Sequence, residues 1–235
     1  MPQQSRREGG MNNIHPTAII DKTTVLGDNN TIGAYAIITG NTFIGNGNYI
    51  GAHSVIGVPP TDTKQVSINF ENPHLEIGDN NIIREFCVVE QPCYEAVSKI
   101  GNHVFLMQGV HLSHDNILKD NVVITNQCVV GGIVKILDGA DLGMGCTINQ
   151  YSIIGHYSIV ATGAPCMKNV RPFSRYIPNK PISVNSYALK KYGFMEDEDE
   201  IMAYVMEGVM PTSTRIKRIV EEFDEWVEKY GRKTY

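Results

Sequence analysis

An aliphatic residue recurs at every sixth position along most of this chain, and that regularity limits its possible folds more than any other feature. The series runs Ile14, Ile20, Leu26, Ile32, Ile38, Ile44, Ile50, Ile56, then resumes as Ile77, Ile83, Val89. It resumes again as Ile100, Leu106, Leu112, Leu118, Ile124, Val130, Ile136, Leu142, Ile148, Ile154, Val160. A period of six is neither the 3.6 of a helix nor the 2 of an isolated strand. It fits a short strand followed by a corner, and three such sides close a triangular coil of eighteen residues. The aliphatic points inward. A small residue four places later, such as Ala36, Ser54, Cys128 or Cys146, completes the interior. Glycine or asparagine is expected at the tight corner, where a left-handed backbone is tolerated. Successive coils pair as parallel strands about 4.8 Å apart. Stability is then a sum over neighbouring coils.

The phase breaks twice, at residues 58–76 and 91–98. A solenoid accommodates an insertion by looping it out at a corner, and such loops commonly carry the binding face. The expected organisation is a disordered start over 1–10, a coil over 11–167, and a connector over 168–185 containing Pro172, Pro178 and Pro181. A helical region follows over 186–235. Its last helix, capped by Thr212 or Ser213, shows Ile216, Ile219, Val220, Phe223, Trp226, Val227 and Tyr230 on one face. The prediction is an all-β solenoid with a short α-helical C-terminal region.

Composition narrows the function. A net charge of −5 argues against a nucleic-acid surface. No apolar run approaches the ~18 residues of a membrane span, and the first residues have no apolar stretch of the kind a signal peptide needs. Five scattered cysteines without a CxxC pair read as reduced and cytoplasmic.

The chemistry concentrates in His111-Leu-Ser-His114-Asp115. Leu112 points inward, so His111 and Ser113 face out, and His114 falls outward or near a corner. A histidine beside a carboxylate is a candidate general base, because Asp115 can orient the ring and stabilise its charged form. One coil beyond His114 stands Gly132, and two coils beyond stands Gln150. A glycine amide one coil from a base is placed to hold an oxyanion. The chain has no GxSxG elbow, P-loop or HExxH. A zinc site would need a third convergent histidine, and His103 is the nearest in sequence; no metal is expected. A zinc-dependent carbonic-anhydrase-like solenoid and a purely structural solenoid are the alternatives.

Four segments carry a resemblance: Ile14-His-Pro-Thr-Ala-Ile19, Ile83-Arg-Glu85, His111-Leu-Ser-His114-Asp115, and Val184-Asn185 with Leu189-Lys-Lys-Tyr-Gly-Phe194. Over about three quarters of its length the chain resembles the hexapeptide-repeat acyltransferases that acylate UDP-N-acetylglucosamine in lipid A biosynthesis, and their relatives acting on nucleotide amino sugars. The resemblance implies a left-handed parallel β-helix, a homotrimer, and acyl transfer from acyl-CoA or acyl carrier protein without a bound cofactor. It makes His114 the base, Asp115 its orienting partner and Gly132 the oxyanion donor, with His111 and Gln150 lining the cleft. Asp62 and Lys64 match sugar- and phosphate-contacting positions, and Asn185 and Lys191 match positions that hold the nucleotide. Thr162 falls where a glycine admits the end of a long acyl chain, which implies a shorter donor. Ile133 and Asn149 replace histidines, Tyr187 replaces an acid, and Lys191 replaces an arginine, a change that loses bidentate phosphate contact. These departures point to an altered acceptor or a shorter acyl group.

Overall fold

The computed structural model describes residues 10–62 and 70–235. Among these residues short strands form three sheets of ten, eight and seven strands, the faces of a left-handed parallel β-helix. Along the chain the strands visit the first, second and third face in turn. The register is the expected one: Leu112 pairs with Val130, and Val130 with Ile148, each one coil on. The inward aliphatics from Ile32 to Val160 form one continuous core with the small residues Ala36, Cys87, Cys128, Ala140, Cys146 and Ala164. Asparagines at the same interior position bond to one another from coil to coil, Asn48 Nδ2 donating to Asn30 Oδ1 at 3.0 Å.

The corners differ from expectation. The left-handed backbone falls three residues after most of the aliphatics, and Tyr35, His53, Phe86, Ile133, Tyr151 and Tyr157 occupy it as well as asparagine and glycine. That conformation costs a side chain about 1–2 kcal/mol, and stacking on the next coil offsets it. Tyr35 stacks on His53 at 5.1 Å, and His53 on Phe86 at 5.3 Å. The glycines directly after the aliphatics answer a different need. A Cβ on Gly33 would stand 2.7 Å from the Ala52 amide nitrogen, so those glycines permit close stacking rather than a turn.

Both insertions emerge between the second and third faces, and both are shorter than the broken phase suggested. Val55–Val58 and His74–Ile77 are strands around the first, and Val97–Ile100 begins directly after the second. The stretch expected to be a connector instead extends the coil. Ser174–Tyr176 pairs in parallel with Ile159–Val160, and Ser183–Val184 returns antiparallel to it. This run has lost the period of six, which is why the pattern did not show it. Of residues 1–10, only Gly10 is among those described.

Three helices follow: α1 (Ser186–Tyr192), α2 (Glu198–Glu207) and α3 (Thr214–Tyr230). Ser213 precedes α3 but makes no side-chain capping bond. Glu200 of α2 takes that role across the gap, accepting the Thr212 and Ser213 amides at 3.1 and 2.9 Å. Ile216 and Val220 of α3 pack with Leu189, Phe194 and Ile201, while Phe223 packs on Leu137 and Ile153 of the coil. No helix among the described residues is long and apolar enough to cross a membrane.

Candidate active site

His114, Gly132 and Gln150 stack on one edge of the prism, between the second and third faces, where both insertions leave the coil. The register that puts Leu112 inside turns the following residues into this corner. Asp115 takes the left-handed position with φ of 60°, which its short polar side chain tolerates.

His114 stands at a corner, as expected, but it is only 7% exposed, with the second insertion folded over it. The Tyr94 ring lies 5.6 Å from the imidazole. Nδ1 of His114 and Oδ2 of Asp115 are 2.7 Å apart. The carboxylate can only accept, so Nδ1 carries the proton and Nε2 is the basic nitrogen. The carboxylate itself is clamped by backbone. Oδ1 accepts the amides of Cys93 and Glu95 at 2.8 and 3.0 Å, and Oδ2 that of Tyr94 at 2.9 Å. Burial alone would raise the Asp115 pKa; the His114 bond and these three amides outweigh it and lower it. His114 moves the other way. The Asp115 hydrogen bond raises its pKa above the usual 6.5, against an opposing effect of burial, and the charges of Asp115, Glu90 and Asp62 add to the rise.

Glu90 is a site residue that pattern reading missed. Its carboxylate is buried and accepts the His114 amide at 3.0 Å, Thr61 Oγ1 at 2.6 Å and Nε2 of His111 at 3.2 Å. It therefore ties both histidines to the start of the first insertion. The only sequence signal was its position, the last residue before the second break in phase. Asp62 follows Thr61 and hydrogen-bonds Tyr94, which helps raise the Tyr94 phenol pKa, loss of water being the larger cause. Lys64 lies outside the described residues.

Gly132 stands directly over the imidazole. A Cβ there would sit 2.4 Å from Cε1 of His114, so only glycine fits. Its neighbours Gly131 and Ile133 donate to the Ile148 and His114 carbonyls, each at 2.9 Å. Among the described residues the Gly132 amide finds no backbone acceptor, which leaves it available to an oxyanion. Gln150 is exposed on the next coil.

The remaining expected residues lie on other edges. Asn185 precedes α1 and is 4% exposed, its amide donating to the Tyr157 carbonyl at 2.9 Å. Its side chain holds the helix to the coil. Lys191 is exposed, 4.7 Å over the Tyr192 ring, and its charge reaches Asp141 on the first face. Both belong to the side where the third face turns into the first. Thr162 is exposed on the remaining edge, lining a groove with Gly143, Ile159 and Arg175. His103 sits on the third-to-first edge, so it does not converge with His111 and His114. Asp138, His156 and Glu222 are the described residues that group most like metal ligands, with donor atoms within 4.8 Å. The Lys119 ammonium already pairs with Glu222 there, at 2.8 Å.

Comparison with known proteins agrees with the fold. The model of bacterial transferase hexapeptide repeats, "six repeats", matches residues 23–57. Acyl-[acyl-carrier-protein]–UDP-N-acetylglucosamine O-acyltransferase of Herminiimonas arsenicoxydans is 32% identical over 152 residues, 63% of this chain and 56% of that protein. The chain thus spans little more than half the length of such relatives. The enzyme of the same name from Campylobacter concisus is 27% identical over 92% of this chain and 85% of its own length. The solved structure of a UDP-N-acetylglucosamine acyltransferase from Bacteroides fragilis superposes with a TM-score of 0.73 at 25% identity, covering 95% of this chain and 98% of that one. The chain resembles these acyltransferases in sequence and in fold, and part of it matches the hexapeptide-repeat model.

Proposed function

We propose that this protein is an acyltransferase that moves an acyl group from a thioester, on acyl carrier protein or CoA, to a hydroxyl or amino group of a nucleotide-activated sugar. The observation that carries the reading is the buried His114–Asp115 pair lying under the Gly132 amide. Nε2 of His114 takes the proton of the acceptor, whose oxygen or nitrogen attacks the thioester carbonyl carbon. The carbonyl electrons move onto oxygen, and the Gly132 N–H holds that charge. Collapse expels the thiolate, which takes the proton back from the imidazolium, so no covalent enzyme intermediate is needed. The relatives' names support acyl carrier protein as donor and UDP-N-acetylglucosamine as acceptor. Thr162 on its groove supports a short acyl chain, and Asp62 beside Tyr94 supports a role for the first insertion in holding the sugar.

The active form we infer is a homotrimer. His114, Lys191 and Thr162 occupy three different edges of one chain, so a single site using all three draws them from neighbouring copies. The outer side of the second face supports this, being aliphatic from Ile19 through Ile37 and Val55 to Val88, where His111 follows, with Ile19 62% exposed. Such surface is rarely left to water. Five buried, unpaired thiols support a reducing, cytoplasmic location.

The test is turnover of His114→Ala with acyl carrier protein and CoA donors of several lengths against UDP- and dTDP-sugars. Loss of the general base should lower kcat by about 10²–10⁴-fold. Wild-type turnover in a folded His114→Ala protein would remove the assignment.

A further inference from the structure

Lys135 lies on the third face one coil beyond Ile117, with its side chain wholly buried. Its ammonium donates to the backbone carbonyl of Asp115 at 2.8 Å and to Oε2 of Glu95 at 3.1 Å. The rings of Trp226 and Tyr230 lie 5.7 and 5.6 Å from it. The Tyr230 hydroxyl donates to the other Glu95 oxygen at 2.5 Å. Burial of a lysine is expensive, and an apolar residue of similar volume commonly serves stability as well or better. The position of these groups gives a reason for keeping the charge. Glu95 belongs to the insertion whose amides, at Cys93, Tyr94 and Glu95, converge on the Asp115 carboxylate.

We propose that Lys135, Glu95 and Tyr230 are positioning residues that lock this insertion down, so that helix α3 sets the orientation of the His114–Asp115 pair without touching substrate. The inference rests on the reading of His114 as base. Lys135 grips Asp115 from its backbone and Glu95 from its side chain, fixing the distance between the carboxylate and its three amides. Tyr230 adds the tie to α3. With the lock removed, the insertion is free to lift and the amides leave Asp115. The carboxylate then rotates, and the imidazole loses the partner that aims Nε2. Misplacing a reacting group by about 1 Å can lower a rate 10²-fold, so the effect belongs in kcat.

The experiment uses the full-length protein. Tyr230→Phe, Lys135→Met, Glu95→Ala and Glu95→Gln are compared for kcat, for KM of each substrate, and for the downfield NMR resonance of the His114 Nδ1 proton. Tyr230→Phe and Lys135→Met should lower kcat by about 10–100-fold, leave KM unchanged, and broaden or shift that resonance. Glu95→Gln keeps an oxygen acceptor and should recover most of what Glu95→Ala loses. An unchanged resonance and unchanged kcat in folded Tyr230→Phe and Lys135→Met overturn the proposal. If Lys135→Met does not fold, Tyr230→Phe decides alone. Should His114→Ala retain full turnover, the base assignment falls instead, and the resonance still reports whether the lock orients the imidazole.

Discussion

Asp115 combines three roles in one residue: it turns the corner between two strands with a left-handed backbone, gathers three amides, and raises the basicity of its neighbour. The last sets a pH dependence. Because the His114 pKa is raised above 6.5, the base loses its proton only as pH climbs past that value. The acid limb of kcat/KM should therefore have an apparent pKa above 6.5. Asp115→Asn removes the charge that holds the imidazolium, so the limb should move to lower pH. The plateau should fall as well, by up to about 10⁴-fold, as when a buried carboxylate no longer fixes the tautomer of its histidine. A pH–rate profile of both proteins checks both shifts. At this scale the sequence was legible where chemistry is local. His114 and Asp115 are adjacent, and Gly132 follows by counting one coil. Glu90, Glu95 and Lys135 were not legible, because their roles depend on how two irregular insertions fold back, and no period describes an insertion.

The helices were readable as helices, since the apolar stripe of α3 is spaced by three and four. Where they dock was not. Glu222 of α3 reaches His156 at 3.3 Å and Lys119 at 2.8 Å, both on the coil. The His156 hydrogen bond, reinforced by Lys119 against the effect of burial, pulls the Glu222 carboxyl down to about 2. A depressed carboxylate stabilises the docked state above its usual pKa of 4.5, and that contribution is lost as pH falls through about 2. Trp226, the single tryptophan, lies on the docked face and reports the event. Its fluorescence should stay that of a shielded ring down to about pH 4.5 and shift red below it. Glu222→Gln should weaken docking and flatten that dependence. A wild-type emission that does not move across this range would show that the ion pairs do not hold the helix.

At the scale of the molecule the period of six was enough to read the architecture, because a solenoid repeats one local solution and each repeat meets only its neighbours. It could not show that the coil continues through Ser174–Tyr176, where strand pairing persists after the pattern has gone. The distribution of candidate residues over three edges makes a prediction at this scale. Chains carrying His114→Ala and chains carrying Lys191→Ala, unfolded together and allowed to reassemble, should regain activity that neither has alone. Mixed assemblies, verified by mass, that remain inactive would rule out a site shared between copies. The two ends of the prism also differ. The last coils are sealed by the final residues, with Tyr235 stacked on Tyr176 at 4.2 Å and the Asn169 amide bonded to the Lys233 carbonyl at 2.9 Å. The first coil leaves Ile14 41% exposed and, among the described residues, pairs its strands on one side only. Loss of structure among the described coils should therefore have a direction, from the first coil toward the last, with amide hydrogen exchange around Ile14 running ahead of that around His114.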